Sequence, residues 1–476
     1  QLLFPSLVRS LMPLCAADWC AVTTVEGIGS SGKGLHPVQE RLTVLHGSQC
    51  GFCTPGIIMA MYTLFRNTPN LNSAEMREHM DGNLCRCTGY RPILDAGMSL
   101  CADGGCCEDG GGCGGCSGCP DVECNKGECK GEPTGKLVDG DIVTDTKDKL
   151  AHYDKPYHSS TAASSEPEFP TELTTPPTPL RMQPNGEGGP TWWRPTTLDE
   201  LLSLKEAEPG ARIVVGASEI AIESRYKNHP AVSFLNAAAV PELKACEDTP
   251  EELIFGACAP LSDVEHLCKE AAASRPGHAG EAARAISDML RWFASTQIRN
   301  VACLGGNLVT ASPISDMIPM LVACNAILTI QSKSGGTRTA PVSSFILGYR
   351  KVDLKPNELL VSVRVPHTKA NEFLRPFKQA RRREDDISIV TGGLFVRLEP
   401  SNDKWTVAEA RFAFGGLAPT VVLATKTADA LVGKEWCAAT IEGSCKEVMD
   451  ELRVGQSAPG GQPEYRTALA ASALFK

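Results

Sequence analysis

A Cys-x2-Cys pair, Cys50 and Cys53, and a Cys-x-Cys pair, Cys85 and Cys87, are separated by 31 residues in this chain. Four thiolates can complete the tetrahedral shells of two sulfide-bridged irons, a [2Fe–2S] cluster. Zinc also accepts four thiolates, so spacing alone leaves both metals open. A structural zinc site more often joins two Cys-x2-Cys knuckles, and the tight Cys85-Arg86-Cys87 followed by Gly89 fits that pattern less well. The flanking residues predict helices. Thr54 is a candidate N-cap with Pro55 at the first helical position, and apolar residues at 57, 58, 61, 64 and 65 make one stripe. Thr88 is a candidate cap for a helix through Ile93 and Leu94. Both cysteine pairs are thus expected just ahead of helix N-termini, where free N–H groups and the positive dipole end favour an anionic cluster. Asn72 with Glu75 reads as a capping box for a helix near 73–80, and a further helix is expected after His36-Pro37.

At 476 residues and 42% hydrophobic content the chain is long enough for two to four domains. Net charge is −10, and no Lys/Arg block or basic aromatic stripe occurs, so a nucleic-acid partner is not expected. No apolar run is long enough to span a membrane. The first residues, Leu2–Leu14, lack the charged start and cleavage site of a signal peptide. There are 21 cysteines. In a chain this large, metal-type clustering points to a reducing compartment rather than a disulfide scaffold, with a cytoplasmic or peroxisomal location expected. Residues 101–190 change character: Cys106, Cys107, Cys113, Cys116, Cys119, Cys124 and Cys129 lie among glycines, followed by a Thr/Pro-rich stretch. Such a segment cannot bury a core and reads as a linker.

Order is expected again from Trp192. Arg212–Ile220 reads as strand, glycine turn and helix start; strands are expected at 253–255, 327–330, 392–398 and 407–414, and helices at 282–293, 425–432 and 438–454. The second half is therefore α+β. It contains no G-x-G-x-x-G and no P-loop, so a Rossmann site is not supported. Two short glycine turns remain, around Gly216 and at Gly305-Gly306. Glycine lets a backbone approach a pyrophosphate and point N–H groups at it, yet paired glycines are more often simple turns.

Three stretches carry a resemblance: Thr24-Val25-Glu26-Gly27-Ile28-Gly29, His46-Gly47-Ser48-Gln49-Cys50-Gly51-Phe52-Cys53-Thr54-Pro55-Gly56, and Gly82-Asn83-Leu84-Cys85-Arg86-Cys87-Thr88-Gly89-Tyr90-Arg91-Pro92-Ile93. They resemble the helical [2Fe–2S] domain of molybdenum hydroxylases. The resemblance covers roughly 11–100 and again about 190–476. It implies an all-α helical [2Fe–2S] bundle, then an α+β FAD-binding domain of the vanillyl-alcohol-oxidase (PCMH) type and an α+β flavoprotein C-terminal domain. The implied boundaries are a ferredoxin-like remnant at 1–20, the iron–sulfur domain at 21–100, the linker, the FAD domain at 191–368 and the last domain at 369–476. It also implies that Cys50, Cys53, Cys85 and Cys87 hold the cluster, and that Gln49 and Cys87 face the pterin of a molybdenum-cofactor domain or subunit. FAD would be held by Arg212, Ile213, Val214, Val215, Gly216, Ala217, Ser218 and Glu219, and by Cys303, Leu304, Gly305, Gly306 and Asn307. Asp316 would bind an adenosine hydroxyl, Leu360 would pack on the adenine, Phe293 against the flavin, and Lys378 would bind FAD. Cys303 stands where the family usually has Ser.

The family's plant-type ferredoxin spacing is absent. Cys15 and Cys20 lack the following partner, and Ser10 occupies the place of the last ligand. A molybdenum half is also absent, so the chain is expected to be a fragment with no catalytic residues for the molybdenum step and no xanthine turnover alone. The loop Arg381-Arg382-Arg383-Glu384-Asp385-Asp386-Ile387 resembles the flavin-side loop of xanthine dehydrogenases, with Arg382, Arg383 and Asp385 facing flavin and NAD+. The implied whole protein is a homodimer that oxidises hypoxanthine and xanthine to urate. The alternatives are an aldehyde oxidase-like protein and a non-catalytic FAD and iron–sulfur assembly module for a separate molybdenum subunit.

Overall fold

A computed structural model describes residues 11–32, 34–68, 70–103, 167, 169–183, 190–227 and 232–476. Most of the Cys-rich stretch expected as a linker, from 104 to 166, lies outside the described residues. The chain divides into two compact units. One runs from Ala21 to Glu172; the other runs from Leu173 to Lys476 and includes the described residues up to Cys20. Among the described residues no helix is long and apolar enough to cross a membrane.

The first unit is helical: α1 (Val25–Ile28), α2 (Pro37–Val44), α3 (Thr54–Asn67), α4 (Ser73–His79) and α5 (Arg91–Met98). The two expected local starts are present. At α2 the His36 ring nitrogen accepts the Val38 N–H at 3.2 Å, and Gln39 Oε1 accepts the His36 N–H at 2.8 Å. Gln39 Nε2 also donates to the carbonyls of Val25 and Gly29, at 3.0 and 3.1 Å, and so ties α1 to α2. At α4, Asn72 and Glu75 form the reciprocal capping box. The α3 stripe buries Ile57, Ile58, Met61, Leu64 and Phe65 against Val38, Leu42, Met76 and Ile93, each large side chain contributing about 1.5–3 kcal/mol. A Cβ at Gly97 would lie 1.6 Å from Met76 Cε, so a substitution there would have to move the end of that flexible side chain.

Two expected caps are corrected. Cys53, not Thr54, is the N-cap of α3, and the Thr54 hydroxyl instead meets Ser48 Oγ at 2.7 Å. Before α5 the cap position belongs to Tyr90, at φ +69° and without a side-chain cap. Thr88 turns its hydroxyl to the Tyr90 N–H at 3.1 Å. The Cys85–Cys87 pair therefore stands several residues ahead of its helix, and only Cys53 adjoins a helix N-terminus directly.

The second unit holds three main sheets. The first contains β1 (Leu180–Met182), β2 (Trp192–Arg194), β3 (Arg212–Val214) and β4 (Phe234–Asn236) in the order β1-β2-β4-β3, parallel except at β1. The second contains β5 (Cys246–Asp248), β6 (Glu252–Gly256), β7 (Ile327–Ser332), β8 (Gly336–Pro341) and β11 (Leu359–Pro366), antiparallel in the order β5-β6-β11-β7-β8. A small ribbon pairs β9 (Ile346–Gly348) with β10 (Lys351–Val352). The third is an antiparallel meander of β12 (Glu372–Ala380), β13 (Ser388–Ser401), β14 (Lys404–Gly415) and β15 (Val422–Leu423).

Helices α6 (Leu198–Ala207) and α7 (Ile220–Tyr226) flank the first sheet's strands in sequence. Next come α8 (Leu261–Ser274), α9 (Glu281–Arg291), α10 (Thr296–Arg299), α11 (Leu304–Thr310), α12 (Met317–Ala323) and α13 (Val342–Phe345). The C-terminal helices α14 (Thr425–Leu431), α15 (Ala438–Glu451) and α16 (Pro463–Phe475) share a core with the third sheet through Phe412, Phe414, Leu431, Val448 and Ala470. On α12's side, glycine removes the obstacle to close approach: a Cβ at Gly393 would sit 2.5 Å from the Pro319 carbonyl oxygen. Residues 11–20, expected as the remnant of another domain, pack into this unit. Cys15 and Ala16 lie against the cluster of Trp192, Val214 and Ala217.

Candidate functional site

In the helical unit the cysteines meet crosswise. Cys50 Sγ and Cys87 Sγ are 3.4 Å apart, and Cys53 and Cys85 contact each other through their side chains. Each pair takes one sulfur from each motif. Gly51, at φ +80°, makes the tight turn between Cys50 and Cys53. Cys85 Sγ lies 3.1 Å from the Thr88 hydroxyl and accepts the Thr88 N–H at 3.5 Å. These bonds bring its thiol down to about 7, toward the thiolate that a metal requires. Two sulfur pairs suit two irons better than one zinc. Gln49, Cys50 and Cys87 are exposed.

In the second unit a cleft of about 990 Å³ opens between β3, α11, β11 and the segment before β13. Its size suits a dinucleotide-sized ligand. Arg212, Ile213, Val215, Gly216, Ala217, Ser218, Glu219, Phe293, Cys303, Gly305, Gly306, Asn307, Asp316, Leu360 and Asp385 all line it. Val214 and Leu304 do not; they are buried in the core, at 1% and 0% exposure. Lys378, Arg382 and Arg383 also stand outside the wall.

The two glycine turns play different parts. A Cβ at Gly216 would lie 2.1 Å from the Val301 carbonyl oxygen, and one at Gly305 would lie 2.5 Å from that of Ala257. These glycines admit the protein's own backbone, so packing alone already requires their bare Cα. The Gly305-Gly306 pair is also not a loop but the first turn of α11. Its amides are already taken: Gly305 N–H donates to Ala257 O at 3.0 Å and Gly306 N–H to Cys303 Sγ at 3.3 Å. Cys303 is thus the N-cap of α11, and burial pushes its thiol up to about 11, so it stays uncharged. The 215–219 turn differs. Ala217 takes φ +56°, and among the described residues no acceptor takes the N–H of Gly216, Ala217, Ser218 or Glu219. Four open amides around a left-handed residue leave unused donor capacity on the cleft wall, of the kind that accepts anions.

The charges around the cleft are largely paired. Arg212 meets Glu223 at 2.6 Å, and Arg350 bridges Glu223 and Glu219. Burial raises Glu223, but the two guanidiniums prevail and hold it below the ordinary carboxylate range. Asp316 faces Lys378 at 2.7 Å and also meets the Ser388 hydroxyl. Beside the mouth, the 381–387 segment is pinned by Arg382 N–H to Asp386 at 2.9 Å and by the Arg383 guanidinium 4.9 Å over the Trp292 ring. Sequence reading missed the Glu219–Glu223–Arg350 cluster and Ser388, which only the fold brings together. Asn307, whose side-chain oxygen accepts from Ser315 at 2.6 Å, was expected; its partner was not.

The [2Fe–2S] binding domain matches residues 24–98, the FAD binding domain in molybdopterin dehydrogenase matches 184–368, and the CO dehydrogenase flavoprotein C-terminal domain matches 375–476. The chain belongs to the molybdenum hydroxylase family. Among curated relatives, xanthine dehydrogenase/oxidase of Gallus gallus is 42% identical over 98% of this chain, and xanthine dehydrogenase 1 of Arabidopsis thaliana is 40% identical over 98%. The chain spans about a third of the length of these relatives, 34% in each case. Two solved structures share the fold of the flavin unit. Carbon monoxide dehydrogenase of Hydrogenophaga pseudoflava matches with TM-score 0.53 and 20% identity, over 63% of this chain and 96% of that one. Quinoline 2-oxidoreductase of Pseudomonas putida 86 matches with TM-score 0.51 and 22% identity, over 59% and 93%. This molybdenum hydroxylase chain therefore carries the iron–sulfur and FAD domains of its family.

Proposed function

We propose that this chain is the electron-transfer portion of a xanthine dehydrogenase-like enzyme that oxidises hypoxanthine and xanthine to urate with NAD+ as acceptor. The observation that carries the reading is the presence, in one chain, of two crosswise cysteine pairs and a dinucleotide-sized cleft, alongside 42% identity to xanthine dehydrogenase/oxidase over 98% of the chain. When bound, the cluster supplies one-electron transfer and FAD supplies hydride and electron transfer. Cys50, Cys53, Cys85 and Cys87 are the cluster ligands, and Thr88 supports Cys85 as thiolate. The open amides of Gly216–Glu219 receive the FAD pyrophosphate, with Cys303, Gly306 and Asn307 as the opposite wall. Phe293 and Leu360 pack on the rings, and Asp316 accepts a cofactor hydroxyl. Asp385, with Arg382 and Arg383 behind it, faces NAD+. Gln49 and Cys87 face the pterin of a molybdenum domain or subunit, and the intact protein is a homodimer. The charged 381–387 loop favours this reading over an aldehyde oxidase-like one.

The test uses the purified chain loaded with FAD. NADH should reduce its flavin, with a dye as final acceptor, and NADPH should do so poorly. Full FAD occupancy with no NADH-dependent reduction defeats the NAD+ assignment.

A further inference from the structure

Lys205 stands in the last turn of α6 (Leu198–Ala207) and is 8% exposed. Its ammonium donates to two backbone carbonyls, Pro209 O at 2.9 Å and Ala211 O at 2.6 Å. Among the described residues no carboxylate pairs with it, and burial alone draws its pKa below the ordinary lysine range. A buried cation held only by neutral partners is costly. An ammonium has three N–H groups, so two carbonyls leave one donor unspent. Lys205 lines the cleft, as do both residues that hold it. Its place along the cleft follows from β3 (Arg212–Val214): Ala211 precedes the strand, and the open amides of 216–219 follow it. At a strand rise of about 3.3 Å per residue the two ends lie roughly 15 Å apart, so one pyrophosphate does not meet both. The neighbours of Lys205 are apolar. Leu201, one turn earlier on α6, belongs to one cluster with Ala211 and Leu359, and Ile213 packs against it. Ile213, Leu359 and Leu360 also line the cleft. Apolar walls with a single buried donor suit a flat heterocycle that carries a ring-nitrogen acceptor.

We propose that the third N–H of Lys205 donates to a ring nitrogen of the adenine base of FAD, which makes Lys205 the residue that reads the base. The inference rests on the FAD reading of the cleft. A pyrophosphate on the 216–219 amides sends the adenosine part along β3 toward Ala211, and the base meets the ammonium with its edge while its faces lie on apolar side chains. Adenine ring nitrogens are neutral acceptors, so the contact needs no charge on the ligand. A lysine that only tied down the 208–211 loop would support the fold and leave the base unread.

The test uses FAD and its 1-deaza-, 3-deaza- and 7-deazaadenine analogues, in each of which C–H replaces one ring nitrogen. Each is titrated into the FAD-free full chain and followed by flavin fluorescence, with thermal unfolding of the FAD-free chain as a separate reading of the loop-fastening role. One analogue should bind wild type about 10- to 100-fold more weakly than FAD, the effect of losing a hydrogen bond to a charged donor. The other two should bind within about threefold of FAD. In Lys205→Met, which keeps the apolar stem, FAD itself should weaken by a similar factor, and the discrimination among analogues should vanish. A loss below about threefold for all three analogues in wild type overturns the proposal, as does discrimination that persists undiminished in Lys205→Met. If Lys205→Met does not fold, the analogue series in wild type decides alone. A wild-type chain that takes up no FAD overturns the reading of the cleft itself, whereas FAD uptake without discrimination among the analogues overturns only the Lys205 contact.

Discussion

Replacing Gly216 by Ala would place a methyl carbon 2.1 Å from the Val301 carbonyl oxygen. A normal carbon–oxygen contact needs more than 3 Å, on the order of van der Waals separation, so one backbone must move by about 1 Å. Val301 cannot rotate a carbonyl away as a side chain would; its segment is held by its N–H to Ile298 O at 3.1 Å and by Ala302 N–H to Ile298 O at 2.8 Å. Overpacking a core by a single group costs about 1–3 kcal/mol, and a collision with backbone belongs at the top of that range. Taking about 3 kcal/mol and about 2 °C per kcal/mol for a unit of this size, the FAD-free Gly216→Ala chain should melt about 6 °C below wild type. FAD affinity should fall with it, since the displaced turn carries the open amides of 216–219. Gly306→Ala is the control. Its Cβ would meet only Cys303 Sγ, at 3.2 Å, and the FAD-free melt should move by less than about 2 °C. Differential scanning calorimetry on both FAD-free variants, with FAD titrations alongside, gives the answer. A Gly216→Ala chain that melts with wild type yet loses FAD would show that the glycine is there for the cofactor, and the steric reasoning would fail.

Other expectations follow from the same geometry. Iron and acid-labile sulfide should each approach two per chain by the stoichiometry of the cluster; one zinc per chain without visible absorbance would replace that assignment. His36 is fully buried and its pKa lies down at about 4, by burial and by the Arg66 charge. Its unfolded pKa is about 6.5, so the unfolded chain binds the extra proton first. Stability of the helical unit should be complete above pH 6.5 and fall toward pH 4, by at most about 3 kcal/mol; a His36→Asn variant, which keeps a cap, should lose most of that pH dependence in urea titrations. Asp385→Asn should raise the flavin potential by about 20–40 mV, equivalent to about 1–2 kcal/mol for two electrons; an unchanged potential and unchanged NADH reduction would return the loop to a solvated surface.

How legible the chain was depended on how local the chemistry is. His36-Pro37 and Asn72 with Glu75 announced helix starts because a cap needs only its own next three residues. The same logic failed at Thr54 and Thr88, where the cluster turns end one residue earlier or two later than the hydroxyl pattern suggests. The pairing of Cys50 with Cys87 is a tertiary fact, invisible in two separate motifs. Helix α8 went unread, although its stripe of Leu261, Val264, Cys268 and Ala271 is fully buried. In the cleft the resemblance pointed to most wall residues, but it could not show that Gly216 and Gly305 press on the backbone of Val301 and Ala257, far along the chain from the turns they constrain. Ser388 gave no local signal at all, being one serine at the head of a strand.

The 11–20 segment shows how the flavin unit is closed by residues that precede the helical unit in sequence. Arg194, whose side chain is 6% exposed, pairs with Asp18 at 2.6 Å and donates to Thr178 O at 3.0 Å. Trp19 Nε1 donates to Thr175 O at 2.8 Å. These contacts bring residues 18–19 beside residues 175–178 within the second unit. Cys15 and Ala16 cover Val214 and Ala217, the residues on which β3 passes into the turn of open amides. The segment thus buries the back of the turn that the cleft presents at its front. Packing of the 11–20 segment therefore supports that turn.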